Sequence, residues 1–251
     1  MDYSALYLIL LVISGILAGF INTIAGGGSI FTLPALMLMG MPADVANGTN
    51  RVGVVIQSLA GVREFHQQDK LDKSALLPIL APTVLGALLG STAASLVPVA
   101  ILKPILLGTI MTMTLLIVLK PSTLPAEDEV NLTVSEKPSS LIWLFMAGLY
   151  GGFVQAGVGF ILLTALAGSL RYDLVRANAL KVLCALVFSL VALAVFIIQG
   201  QVEWVPGLIM GLSTIVGVRF SVRFAIKAKQ STLKRILLVM ALLVCGAALL
   251  S

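Results

Sequence analysis

The chain has 251 residues, of which 59% are hydrophobic and only 11% charged, with a formal net charge of +5 at pH 7. Soluble domains carry about 25% charged residues, so this composition excludes a water-exposed globular surface. The basic surplus does not indicate nucleic acid, because Lys and Arg gather at the ends of apolar stretches, as in the cytoplasmic loops of membrane proteins.

A transmembrane helix needs about 20 predominantly apolar residues. In chain order, 5–24, 45–63, 74–97, 99–119, 141–168, 178–199, 204–222 and 236–250 meet or approach that length. The runs are continuous and do not alternate, which predicts an all-α, polytopic transmembrane helical bundle and not a barrel. Residues 5–24 follow Met1-Asp2-Tyr3-Ser4, which lacks Lys and Arg, and exceed the usual signal-peptide core, so they are expected to stay as part of the mature protein. Cys184 and Cys245 lie inside apolar runs as small core residues.

The chain repeats itself. Gly15 to Asn22 aligns with Gly148 to Gln155, and a glycine cluster follows in each copy, Gly26-Gly27-Gly28 and Gly157-Val158-Gly159. Ala46-Asn47-Gly48-Thr49-Asn50-Arg51-Val52 then falls on Arg176-Ala177-Asn178-Ala179-Leu180-Lys181-Val182, with Arg51 opposite Lys181. This predicts an N-terminal transmembrane repeat, 1–120, a Pro- and acid-rich cytoplasmic linker, 121–137, and a C-terminal transmembrane repeat, 138–251.

After the first glycine cluster, 29–40 offers only about 12 residues, too few for a span. The segment is either half of an interrupted span or the return limb of a re-entrant hairpin. The hairpin places every Lys and Arg except Arg51 and Lys103 on one face. The interrupted span moves Arg63, Lys70, Lys73, Lys120 and Lys137 to the other. The positive-inside rule favours the first. Each repeat is therefore expected to be a Gly-rich hairpin plus three spans, with the repeats inverted and both termini outside.

Unwound backbone survives at membrane depth only where protein or a watery cavity covers it, and paired Gly-rich breaks mark transporter binding sites. The glycines of both clusters, Gly26, Gly27, Gly28, Gly157 and Gly159, have low helicity and reach positive φ. Exposed N–H groups before the next half-helix, where Ser29 or Thr32 can cap, favour an anion. Asn22 and Gln155, aligned before the breaks, add neutral donors. Arg51 and Lys181 admit two readings, positive potential for that anion or snorkelling to the headgroups. The pairs Gly15/Gly19, Gly86/Gly90, Gly148/Gly152 and Gly207/Gly211 read as helix-packing positions. Asp44, Glu64, Asp173 and Glu203 read as solvated helix ends, and His66 as an exposed loop residue.

The run Gly19-Phe20-Ile21-Asn22-Thr23-Ile24-Ala25-Gly26-Gly27-Gly28-Ser29, followed by Pro34 and Ala46 to Arg51, resembles the first-half signature of the TauE/SafE sulfite exporter family. Arg176 to Val182 is similar to its second-half counterpart, and the resemblance covers nearly the whole chain. It implies a secondary transporter of sulfite, organosulfonates or related sulfur anions in a bacterial cytoplasmic membrane. It also implies a transport region that adds Thr23, Ser29, Asn47, Thr49, Asn50 and Asn178 to the residues above. The second half has no proline matching Pro34 and no glycine triplet, so its hairpin is expected to be less sharply broken. An anion channel and a carrier of non-sulfur organic anions are the alternatives. The expected partners are the small anion and the lipid bilayer, with a homodimer as a possible assembly, and no nucleic acid, metal or cofactor. An enzyme is not expected, because no deep carboxylate or nucleophile–base set accompanies His66.

Overall fold

The computed structural model describes residues 5–24, 26–70, 75–119 and 131–227. Cys245, Lys234 and the expected span 236–250 lie outside them, as does most of the linker. The described residues form nine α-helices: α1 (Ala5–Ile24), α2 (Ser29–Leu38), α3 (Ala43–Gln67), α4 (Leu76–Leu96), α5 (Val99–Leu119), α6 (Ser139–Phe153), α7 (Val158–Leu163), α8 (Leu174–Ile198) and α9 (Trp204–Lys227). A π-helical turn, Thr164–Ser169, prolongs α7.

The bundle is apolar outside and polar within. Leu6, Ile9 and Ile13 of α1, Leu77, Leu85 and Leu89 of α4, and Leu212 and Phe220 of α9 are exposed. Asn47, Asn50, Arg51, Asn178 and Lys181 are buried. Water would penalise such an exterior; lipid does not. Helices α1, α4 and α8, with Trp204–Ala225 of α9, are long and apolar enough to cross a membrane. α3 matches them in length but carries its polar run inward.

Helix pairing crosses between the two ends of the chain. α1 lies along α9, and α6 along α4; α3 and α8 touch each other and pack on α9 and α4. Small residues permit the approach. Gly19 abuts the backbone of Thr214, and Gly148 that of Thr83. Gly217 meets Ile16 and Phe20, while Gly86 meets Phe145 and Leu149. A Cβ at any of these four would overlap backbone, so the packing role expected for the glycine pairs holds.

Both broken helices double back. Leu36, Met39 and Met41, at the end of α2, pack against Leu11, with Tyr7 alongside. That limb stops at Gly40, whose φ is +86°. Gly40 N–H donates to Met37 O and Met41 N–H to Leu36 O, the two bonds of a Schellman motif. In the second hairpin, Leu132 N–H donates to Leu170 O at 2.9 Å, so the chain entering α6 and the chain leaving the π turn share one end of the bundle. Ala75, Leu76 and Val134 pack against the cluster containing Leu170 and Tyr172, which brings three loops to that end.

Candidate functional site

The hairpin tips meet. Gly159 N–H donates to Gly26 O at 3.3 Å, and a Cβ on either glycine would overlap the Cα of the other. Glycine is required here by contact, and at Gly26 also by a φ of +91°. The second break is as abrupt as the first, contrary to expectation. Gln155 and Gly157 both take left-handed backbone, at φ +67° and +79°, and supply the reversal without a proline or a glycine triplet. Tyr150 Oη–H braces it by donating to Ala156 O at 2.6 Å.

Neither cation snorkels. Arg51 lies eight residues into α3, about 12 Å along its axis, and is completely buried. Its guanidinium donates to Gly151 O, to Gly152 O at 2.9 Å and to Phe153 O at 3.4 Å, the last carbonyls of α6. It also donates to Asn47 Oδ1 at 3.3 Å, while Asn47 Nδ2 donates to Phe153 O at 2.8 Å. Lys181 mirrors this arrangement on α8. Its ammonium donates to Thr23 O at 2.9 Å, in the last turn of α1, and to Asn178 Oδ1 at 2.6 Å. Each cation thus caps the helix end broken in the other half of the chain, where carbonyls lack amide partners and the helix dipole is negative. Phe196 lies 5.5 Å from the Arg51 guanidinium carbon and covers it with an aromatic face.

Other expected residues are also committed to protein. Ser29 and Thr32 do not cap α2; its N-cap is Gly28, with no side-chain cap. Asn50 takes both hydroxyls instead, donating to Ser29 Oγ at 3.0 Å and accepting from Thr32 Oγ1 at 2.6 Å. Asn50 therefore ties α2 to α3. Thr49 Oγ1 accepts from Glu203 N–H at 2.9 Å, at the start of α9. Thr23 Oγ1 bonds back to Gly19 O. Of the acids read as solvated ends, Asp173 caps α8 through Val175 N–H and Arg176 N–H, and Glu64 pairs with Arg219 at 3.6 Å. Asp44 departs from that reading: it accepts from Gln201 Nε2 at 3.3 Å, and its Oδ1 is buried.

Besides Arg51 Nε, which is buried without a partner among the described residues, four groups at the tips keep unused hydrogen-bonding capacity. The N–H groups of Gly27 and Gly28 have no hydrogen-bond partner among the described residues. The amide of Asn22 has none, and it is half-buried. Gln155 is 3% exposed, donates through Nε2 to Ser189 Oγ at 3.1 Å and leaves Oε1 unpaired. Ser189 was not singled out in the sequence, although Asn178, Lys181 and Ser189 recur at spacings that share one helix face.

The two breaks share backbone features, in a register on the first helix that differs from the alignment of Asn22 with Gln155. Gly26 N–H bonds Ile21 O and Gln155 N–H bonds Tyr150 O, each five residues back, and both residues have positive φ. Gln155 therefore matches Gly26, and Gly148 matches Gly19 in its packing. The correction is four residues, one helical turn. Glycines spaced four apart superimpose either way, which is why the alignment could slip without losing its glycines.

Over residues 11–248 the chain matches the family model described as Sulfite exporter TauE/SafE. It is 27% identical over 240 residues to a "Probable membrane transporter protein" of Haemophilus influenzae, covering 96% of this chain and 93% of that one. It is 29% identical over 236 residues to "Probable membrane transporter protein YfcA" of Escherichia coli K12, covering 94% and 87%. It is 27% identical over 232 residues to "Probable membrane transporter protein ORF9" of Sinorhizobium, covering 92% and 88%. With its matched hairpins enclosed by apolar helices and this match along nearly its whole length, the chain belongs to the TauE/SafE family of membrane transporters.

Proposed function

We propose that the protein is a secondary transporter of small oxyanions, sulfite and organosulfonates first among them, working by alternating access around the crossed hairpin tips of a bacterial cytoplasmic membrane protein. The observation that carries this reading is the meeting of two backbone breaks at Gly26 and Gly159 beside donors that protein does not use. Free N–H groups at the start of α2 and the amides of Asn22 and Gln155 suit an anion's oxygens. Arg51 and Lys181 act on that anion through the helix ends they cap and not by contact.

The chain is read as two inverted repeats, 1–120 and 138–251, joined by the linker 121–137. Support comes from the doubling-back of both hairpins, which leaves three further crossings in the first repeat before the linker. It also comes from the loops gathered at one end, which carry Lys70, Lys137, Arg171 and Arg176.

Sulfite flux into proteoliposomes, with counterflow against trapped sulfite, tests the function. Saturation with counterflow is the expected result. Flux that rises linearly without counterflow would indicate a channel, and absence of flux for sulfite, sulfonates and carboxylates alike would refute oxyanion transport.

A further inference from the structure

At the turn out of α6, Gln155 combines burial, left-handed backbone and a half-used amide. The matching turn out of α1 uses Gly26 with the same hydrogen bond five residues back. An L side chain in this region of φ is disfavoured, and glutamine is not among the residues that commonly tolerate it. A residue needed only to turn the chain would be glycine, as it is in the first hairpin. The glutamine side chain therefore has a use that offsets its backbone.

The contacts indicate that use. As placed, Gln155 Nε2 donates to Ser189 Oγ, on α8, at 3.1 Å. That placement leaves Oε1, an acceptor, buried without a partner among the described residues. Nitrogen and oxygen of an amide are assigned by their hydrogen bonds. Ser14 and Ser91 send their hydroxyl protons to carbonyls of their own helices, whereas Ser189 has no such acceptor among the described residues. With the amide turned over, Ser189 Oγ–H donates to Gln155 Oε1, and the hydroxyl proton and the amide carbonyl are satisfied together. Both N–H groups of Nε2 are then at the unpaired end.

We propose that Gln155, oriented by Ser189, is a specificity-determining residue whose Nε2 donates to an oxygen of the transported oxyanion. This rests on the oxyanion reading above and deepens it. A neutral donor pair of fixed direction selects by hydrogen-bond geometry, so it favours an S–O oxygen over a spherical halide of equal charge.

The test uses the full chain in lipid nanodiscs, with sulfite and chloride as probes, calorimetric affinity as one readout and thermal unfolding as the other. Gln155→Gly fits the backbone and should keep or raise the Tm, while sulfite affinity falls about 10- to 100-fold, the loss of one hydrogen bond to a charged ligand. Ser189→Ala leaves the turn intact and should weaken sulfite about three- to tenfold with chloride unchanged, a smaller loss because the amide is disoriented and not removed. Gln155→Glu should abolish sulfite binding by placing a carboxylate against the anion. If Q155G and S189A both bind sulfite within twofold of the parent, the role of Gln155 is overturned and the oxyanion reading stands. If Q155G fails to fold, unchanged affinity in S189A overturns the proposal alone. A parent that binds neither sulfite nor any other oxyanion overturns both.

Discussion

Replacing Arg51 with methionine separates the two roles a buried cation can have. Methionine retains much of the apolar stem but removes the guanidinium that caps α6. Phe153 O keeps a donor in Asn47 Nδ2, but Gly151 O and Gly152 O lose theirs in a fully buried setting. Each orphaned buried acceptor costs about 1–3 kcal/mol, so Arg51→Met should destabilise by about 2–6 kcal/mol. At about 3 °C per kcal/mol for a chain of this size, the Tm should fall by roughly 6–18 °C. Thermal unfolding in nanodiscs measures the fall, and sulfite flux per folded molecule measures the function. A variant that keeps its Tm within about 1 °C of the parent, yet raises the KM for sulfite tenfold, would mean that Arg51 faces the anion and that the capping argument is mistaken.

The other substitutions differ in which readout they move. Lys181→Met orphans one backbone carbonyl, Thr23 O, together with Asn178 Oδ1, and should cost less than Arg51→Met, seen as a smaller Tm loss in the same assay. Thr49→Val leaves Glu203 N–H without its acceptor, costing about 0.5–2 kcal/mol in thermal unfolding, with sulfite affinity unchanged. Asn22→Ala removes a half-buried amide that bonds no described residue, so its Tm should stay within about 1 °C while sulfite affinity drops roughly tenfold; an unchanged affinity would remove Asn22 from the site.

The membrane class, the breaks and the pairing of Arg51 with Lys181 were legible because each leaves a local mark: long apolar runs, glycine clusters, and charge inside a span. The partners of those cations were not. Arg51 meets carbonyls 100 to 102 residues away and Lys181 one 158 residues away. A backbone carbonyl has no sequence signature, so a long cationic side chain near a helix start left the anion and the headgroups as its two readings. The same limit hid Thr49, whose partner is the N–H of Glu203. The slipped register has a different cause. Gly15 and Gly19 repeat at the period of one helical turn, as do Gly148 and Gly152, so helix-packing glycines could not say which turn matched which. Only the positive φ shared by Gly26 and Gln155 broke the tie.

The cross-capping bears on how a carrier can draw in an anion without exposing a charge to lipid. A helix C-terminus carries about half a negative charge, and at each tip it is covered by a basic side chain from the opposite half. The two tips touch. No Asp or Glu among the described residues forms an ion pair with Arg51 or Lys181. The crossing therefore sets two basic side chains against two helix C-termini, both held by scaffold carbonyls, with Arg51 Nε left without a partner among the described residues. An anion arriving there would be held by neutral N–H groups, and could leave without first breaking an ion pair. Strong direct pairing would hold the ion in place, so committing both cations to the scaffold favours release on either side. The same bonds tie each hairpin to a helix of the other half, α1 to α8 and α6 to α3. A rearrangement that moves one half against the other must then carry the opposite hairpin tip along with it, or break a buried cap.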